Sequence, residues 1–417
     1  MRKRKNPLFD RELKPKPVIE VEEKHVKLRV VLLVICIAVA LISLGYWLFG
    51  LLSVEPGWYT ISVKSSQAHC GNEFTFAYYA GADGLDAKAE REAVIRIYSK
   101  ASEEAYNLFT WDVEEPEEGG VRYLSDRPNQ TVTVDKPLYD ALSMAKDSPL
   151  MYMGPVTAEY AKIFQYTEEH LAVRYDPAQN PEVKAFITEL MGYVGSRDHI
   201  RLELLGNNQV KLCISAEFLN YAQANGVEAF LDFGWMKNAF IADYLADALT
   251  EKGYTQGYLV SYDGFGRYLE GESTEYTLSL YDRFENIVDR PAAFSIKGSV
   301  NTVSFRNYPL TEGDAWHYFS FGTTGTIASV YVDPTDGVCK SATDNLVLYS
   351  EGATCAQMVL AGAPLFLTEQ LDESALLNLG AEGVSAIWAE GKEIRYTDSA
   401  LILTITDGNG YTQKYMQ

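Results

Sequence analysis

The chain has 417 residues, 47% of them hydrophobic and 22% charged, with a formal net charge of −21. That is enough apolar material for one large domain or two modest ones. The acidic excess argues against nucleic acid and anionic lipid surfaces as partners. Of the 36 Lys+Arg and 57 Asp+Glu, ten and five respectively fall within residues 1–29, so the remainder is more acidic still, near −26.

Residues 1–29 form a polar, basic arm broken by Pro7, Pro15 and Pro17. An uncharged run follows over 30–54, longer than the ~20 residues that cross a bilayer as a helix. Tyr46, Trp47 and Phe49 stand near its end, where aromatic rings favour the headgroup layer. The reading is an uncleaved, single-pass membrane helix with a cytoplasmic N-terminus and an extracytoplasmic domain over 55–417.

Alternation predicts strands over 59–65 and 69–80, and helical spacing predicts a helix over 87–107. A short strand over 131–134 precedes a helix over 137–145 that opens on proline. Gly154-Pro155 leads into a helical run ending at Ile163-Phe164. Pro177 and Pro181 mark 168–185 as a surface excursion. A hairpin is expected over 200–205 and 209–214, then a helix over 216–225 closed by Gly226.

The central stretch is FLDFGWMKNAFIADYLADAL, residues 230–249. A strand end at Ala229–Leu231 runs into Asp232 and Gly234, then into a helix whose Phe240, Ile241, Tyr244, Leu245 and Leu249 share one face. A carboxylate followed by glycine at such a junction is where backbone amides and a helix start meet a phosphate. The plainer role for Asp232 is a helix N-cap. Beyond it, a buried strand over 257–262 meets a tight DGFG turn at 263–266. Short strands follow over 276–281, 293–296, 300–305, 316–321, 327–332, 345–349, 386–388 and 400–406. The fold class is mixed α+β with largely antiparallel sheets and packed helices.

Cys70, Cys213, Cys339 and Cys355 are scattered with no CxxC, so buried free thiols are expected and a zinc site is not. Gly322–Gly325 lacks the Gly-Lys-Ser/Thr ending of a P-loop, and neither GxSxG nor HExxH occurs. Asp333–Gly337 has no later glutamate where a calcium loop needs one and reads as a turn.

Over roughly 65–366 the order of these pieces resembles the ApbE-like flavin transferases (FAD:protein FMN transferases), whose members move FMN from FAD to Thr or Ser of a target protein. Asp232, Gly234, Phe240 and Asp243 match the spacing of the family's Asp-Leu-Gly-Gly-Ile-Ala-Lys-Gly-Tyr and the aspartate after it. Cys70–Phe74, Gly154-Pro155, Asp263-Gly264 and His317 stand at further family positions. Trp235 replaces the second glycine, Asn238 the lysine (with Lys237 one place early) and Ala239 the glycine after it. Gly352 and Ala356 stand where the family's metal is held by Asp and Thr. The resemblance implies His317 and Asp263 as catalytic residues. It implies Asp232, Gly234, Asn238, Asp243 and Gly264 as cofactor-binding residues, with Thr354 and Asp232 as the remaining metal oxygens. The implied cofactors are FAD and magnesium, and the implied partners are a flavin nucleotide and an extracytoplasmic acceptor protein. Because Trp235, Gly352 and Ala356 each remove something the transfer uses, a catalytically lapsed flavin-binding or protein-interaction module is the alternative.

Overall fold

The computed structural model describes residues 26–52, 54–64, 69–269 and 274–417. Most of the basic arm expected over 1–29 lies outside them. Two compact units are present, Met1–Val54 and Glu55–Gln417. In the first, Val26–Leu52 forms helix α1. Among the described residues, no helix is long and apolar enough to cross a membrane. The expected single-pass anchor over 30–54, with its cytoplasmic start and extracytoplasmic remainder, is overturned by that finding.

The second unit opens with β1 (Gly57–Ile61) and β2 (Phe74–Ala80), paired antiparallel with Trp58 opposite Tyr79. Phe74, Phe76, Tyr78 and Ala80 alternate inward along β2, as the two-residue period of a strand requires. Asp86 caps helix α2 (Ala87–Phe109) by accepting the N–H groups of Lys88 and Ala89. Val94, Tyr98, Ala101, Ala105 and Leu108 are its buried stripe. Then come α3 (Val121–Ser125), β3 (Thr131–Thr133), α4 (Lys136–Ala145), α5 (Gly154–Phe164), α6 (Glu169–Ala172) and α7 (Pro181–Val194). The segment read as an excursion therefore contains the start of a helix. Pro181 sits in the first turn of α7, where its missing N–H costs nothing, and Asn180 accepts the N–H of Glu182.

The expected hairpin is β4 (Ile200–Gly206) and β5 (Gln209–Ile214), turning through Asn207 and Asn208 at positive φ. With β3 it forms a small three-stranded sheet. Helix α8 (Ala216–Asn225) closes on left-handed Gly226, as expected. The strand expected at 229–231 does not form. Ala229 is left-handed (φ 56°), and the segment is held by irregular bonds instead. Leu231 donates its N–H to Ser125 Oγ (3.2 Å) and Asp232 donates its N–H to the Met151 carbonyl (3.3 Å). Apolar side chains here pack a loop, not a ladder.

A single 3₁₀ turn at Gly234–Met236 leads into α9 (Lys237–Thr250). The remaining elements are β6 (Gly257–Ser261), β7 (Phe265–Tyr268), β8 (Glu275–Phe284), β9 (Ile287–Lys297), β10 (Val300–Arg306), β11 (Tyr318–Phe321), β12 (Thr326–Ser329), β13 (Asn345–Ser350), α10 (Cys355–Phe366), α11 (Glu373–Leu379), β14 (Ser385–Glu390), β15 (Glu393–Tyr396), β16 (Ile402–Ile405) and β17 (Thr412–Tyr415). The main sheet runs β1-β2-β6-β7-β10-β13-β14-β15-β17. Its ladders are antiparallel except the last, where β15 and β17 run parallel. Helices α9 and α10 pack on one face of the sheet. Val347, Tyr349, Tyr268 and Ile387 point to the other face and join Phe294, Ala292 and Leu280 from the β16-β9-β8 sheet in a second core layer. The class is mixed α+β with largely antiparallel sheets, as the pattern of elements implies.

All five cysteines are free; Cys70, Cys213 and Cys355 are buried.

Candidate functional site

Helix α9 is buried almost all round, through Asn238, Ala239, Phe240, Ile241, Ala242, Leu245, Ala246 and Leu249. Tyr244 lies at the margin of that face and donates its hydroxyl to Glu104 (3.0 Å). The first turn of α9 and the loop before it form one wall of a cleft of about 270 Å³. Asp232, Gly234, Trp235 and Lys237 come from this wall, Thr110, Trp111 and Asp112 from the end of α2, Gly154 and Thr157 from α5, and Trp316 and His317 from the segment before β11. Larger clefts of about 560, 490 and 330 Å³ contain none of the residues assigned from sequence, and one of about 300 Å³ contains Gly264 alone of them.

Close packing builds the floor. A Cβ on Gly154 would stand 2.0 Å from the Ala229 carbonyl oxygen, so the start of α5 approaches the Asp232 loop only because that residue is glycine. Trp235 is fixed edge-on against Tyr331 (centroids 4.9 Å apart) and Phe305 (6.1 Å). Its indole occupies the place where the resemblance puts a bare backbone.

Behind the cleft lies a buried polar cluster. Lys237 pairs with Glu73 (3.1 Å), and Asn238 donates its amide to both Glu73 Oε2 (2.8 Å) and Asp263 Oδ2 (2.9 Å). Burial pushes the Asp263 carboxyl up to about 6, opposed by the Ser261 hydroxyl and reinforced by the charge of Glu73. Lys237 is disfavoured as a cation by burial, yet Glu73 more than restores its charge. Burial, then the charge of Lys237, holds the His317 ring down to about 3, so it is a neutral imidazole across the physiological range. Its ring lies 3.6 Å from that of Trp316, centroid to centroid.

The assigned residues thus fall into four places. Asp232, Gly234 and His317 line the cleft. Asn238 and Asp263 form the cluster behind it. Gly264 belongs to a different hollow, beside Ser304 and Arg306; its φ of +108° and a would-be Cβ 2.6 Å from the Ser304 carbonyl oxygen reserve the turn for glycine. Asp243 and Thr354 meet at the start of α10. Asp243 accepts the N–H groups of Cys355 (3.1 Å) and Ala356 (2.8 Å) and pairs with Arg267. Thr354 is the N-cap, its hydroxyl accepting the Gln357 N–H while Gln357 Oε1 accepts the Thr354 N–H.

These donors do not fit magnesium, which takes about six oxygens in near-octahedral array. The Thr354 hydroxyl is committed to its cap and does not line the cleft that Asp232 lines. Gly352 and Ala356 bring no side-chain oxygen, and among the described residues no three His, Cys, Asp or Glu side chains converge as a metal site. The turn at Asp333 is held internally too. Its carboxylate accepts the Thr335 N–H (2.8 Å), and Lys340 bridges it to Asp336.

Burial also pushes Asp232 up to about 6 from 3.8, against the pull of the Gly234 N–H and the Lys237 charge. The folded chain therefore holds this proton more tightly than the unfolded chain does. The benefit is full below pH 3.8 and fades as pH rises through about 6. Asp232→Asn should consequently add on the order of 1–2 kcal/mol to unfolding free energy at pH 8 and little at pH 4, measured by urea melts at the two pH values. An equal effect at both would remove burial of the carboxylate as the cause.

Thr110, Trp111, Asp112 and Trp316 were not among the residues assigned from sequence. Trp111-Asp112 follows the last turn of a long amphipathic helix, a polar–aromatic break that was the one available signal.

No family model matches the sequence, and no curated protein matches it. Solved structures do. The ApbE protein of Thermotoga maritima aligns over 79% of this chain and 94% of its own, at 14% identity and a TM-score of 0.54. The flavin transferase ApbE of Vibrio cholerae aligns over 80% of this chain and 93% of its own, at 11% identity and a TM-score of 0.52. The chain carries the ApbE flavin-transferase fold in divergent form.

Proposed function

We propose that the unit Glu55–Gln417 binds a flavin nucleotide in the cleft between α2, α5 and the start of α9, and that metal-dependent FMN transfer has lapsed. One observation carries this reading. The cleft is walled by three indoles, Trp111, Trp235 and Trp316, beside the polar groups Asp232, Lys237 and His317, whereas the start of α10 is filled by the chain's own Asp243 and Arg267. Apolar walls with a few convergent polar groups suit a planar heteroaromatic ring. At about 270 Å³ the space suits one ring system, not an entire dinucleotide.

The residues do the binding and little else. Lys237, held by Glu73, offers a fixed positive charge to a phosphate. Neutral His317 can donate or accept one hydrogen bond but cannot supply a charged acid at neutral pH. The charge neutralisation that phosphoryl transfer needs from a metal has no oxygen cage among the described residues.

The full chain incubated with FAD and magnesium should release no AMP, and should quench the fluorescence of added FMN. AMP release at the rate of an active flavin transferase overturns the lapse. Unquenched FMN at high concentration overturns flavin binding and favours the second reading, an interaction module whose acidic surface meets a basic partner. An acceptor protein enters only if transfer is observed.

A further inference from the structure

A hollow of about 300 Å³ lies on the other face of the main sheet, between β10 and the strands β8 and β9. The register of β10 decides what points into it. Thr302 stands opposite Tyr349 and Ser304 opposite Val347, and residues opposite each other in a ladder share a face. Tyr349 and Val347 belong to the second core layer, so Thr302 and Ser304 face that layer too. Arg306, two residues further on, follows by the period of the strand. All three line the hollow, whereas Val303 and Phe305 between them do not. Phe305 packs instead on Trp235 and on Phe366 of α10. Strand β10 thus sets two hydroxyls and a guanidinium on a face that is elsewhere apolar core.

The fold does not use these groups up. Thr302 is 8% exposed and Arg306 7%, yet neither the Thr302 nor the Ser304 hydroxyl makes a hydrogen bond among the described residues. Neither hydroxyl is sealed off, whereas Arg306 Nε is. Thr302 pairs with Gly266 on β7, and a Cβ there would stand 2.5 Å from Thr302 Oγ1. The hydroxyl therefore leans over a bare backbone with no side chain to meet it. Arg306 donates through Nη2 alone, to Asp314 (2.7 Å) and to the Tyr262 carbonyl (3.2 Å). Its Nη1 is left without an acceptor among the described residues. Buried polar groups are almost always paired, and a hydroxyl on a core face is costly without a partner.

The lining says what kind of partner fits. Arg306 is its one charged residue, and no Asp or Glu joins it, in a chain of formal net charge −21. Leu278, Tyr268 and Phe294 supply an apolar wall. We infer that this hollow binds a small organic carboxylate with an apolar body. Its oxygens accept from Arg306 Nη1 and from the Thr302 and Ser304 hydroxyls, and its body lies against Leu278, Tyr268 and Phe294. A guanidinium matches a carboxylate in shape and donor spacing. Asp314 fixes the plane of that guanidinium in advance, so binding needs no rearrangement. It also balances the buried charge, which suits a monoanion and not a phosphate. The site is separate from the flavin cleft and does not depend on the flavin reading.

The full chain titrated with 3-phenylpropionate should bind it, read by ligand-detected NMR, and should bind the neutral 3-phenylpropionamide at least tenfold more weakly. Thr302→Val keeps the side-chain shape and should weaken binding of the acid about tenfold. Its unliganded Tm should be unchanged or higher, because an unpartnered hydroxyl is gone from a core face. Ser304→Ala, at a half-buried position, should act in the same direction. Saturating FMN should leave the acid bound. Equal binding of acid and amide, wild-type affinity in both variants, displacement by FMN, or no binding at millimolar acid would each overturn the site. Displacement of the acid by an equal concentration of inorganic phosphate would overturn the carboxylate as its ligand.

Discussion

Asp243→Ala should lower the unfolding free energy by about 3–5 kcal/mol, visible as a fall in the urea midpoint with the slope unchanged. The carboxylate ties three elements together. It accepts the Cys355 and Ala356 N–H groups at the start of α10, and it pairs with Arg267 on β7 from its own position on α9. Removing it strands the Arg267 guanidinium, whose side chain is 13% exposed, and leaves two helix-start donors without an acceptor. The second ion-pair partner of Arg267, Asp247, is 63% exposed at 3.3 Å and recovers little. Asp243→Asn keeps an acceptor for the helix and should lose roughly half as much. Loss below 1 kcal/mol would show that the ion pair and the cap are solvated in practice.

Asp314→Ala should be of similar size, about 3–5 kcal/mol, and should also abolish FMN quenching. Asp314 is fully buried and accepts from Arg306 (2.7 Å), from the Thr311 N–H (2.7 Å) and hydroxyl (3.1 Å), and from the Leu310 N–H (3.2 Å). It thereby closes the 310–314 loop immediately before Trp316 and His317. Without it, Arg306 is a buried cation lacking its counter-ion, and the two cleft residues lose their tether. The double variant Arg306→Met/Asp314→Leu should regain much of the stability, since an apolar pair often replaces a buried ion pair at small cost. Retained quenching in a destabilised Asp314→Ala would separate the loop from the cleft.

Legibility in the sequence followed the number of residues that share a signal. Helix α8 was readable to the residue because Ser215 and Gly226 bracket it as cap and left-handed stop. Helix α7 was hidden because proline was read as a breaker when it served as the opening residue. Strand β17 is exposed at all four positions, so no apolar alternation marks it in the sequence. Ala229–Leu231 looked like a strand because apolar runs do not reveal whether a pairing partner exists. The site divided in the same way. Asp232, Gly234 and His317 stand out by residue type and spacing, whereas Thr110 and Trp111 reach the cleft only through the packing of α2 against α9, which no local pattern encodes. Asp243 matched a motif position, yet what it does depends on Arg267 and α10, both distant in sequence.

The free cysteines give the molecule a built-in clock. Burial pushes the Cys70 thiol up to about 12 and raises those of Cys213, Cys339 and Cys355 as well. Thiolates, not thiols, react with alkylating reagents, so in the folded chain these four groups are nearly inert. Each becomes reactive only when its surroundings open. The four thiols sit on different elements, namely the approach to β2, strand β5, the turn after β12 and the first residue of α10. Their separate alkylation times would therefore rank how often each part of the fold opens, while exposed Cys36 reacts from the start and sets the zero of the scale.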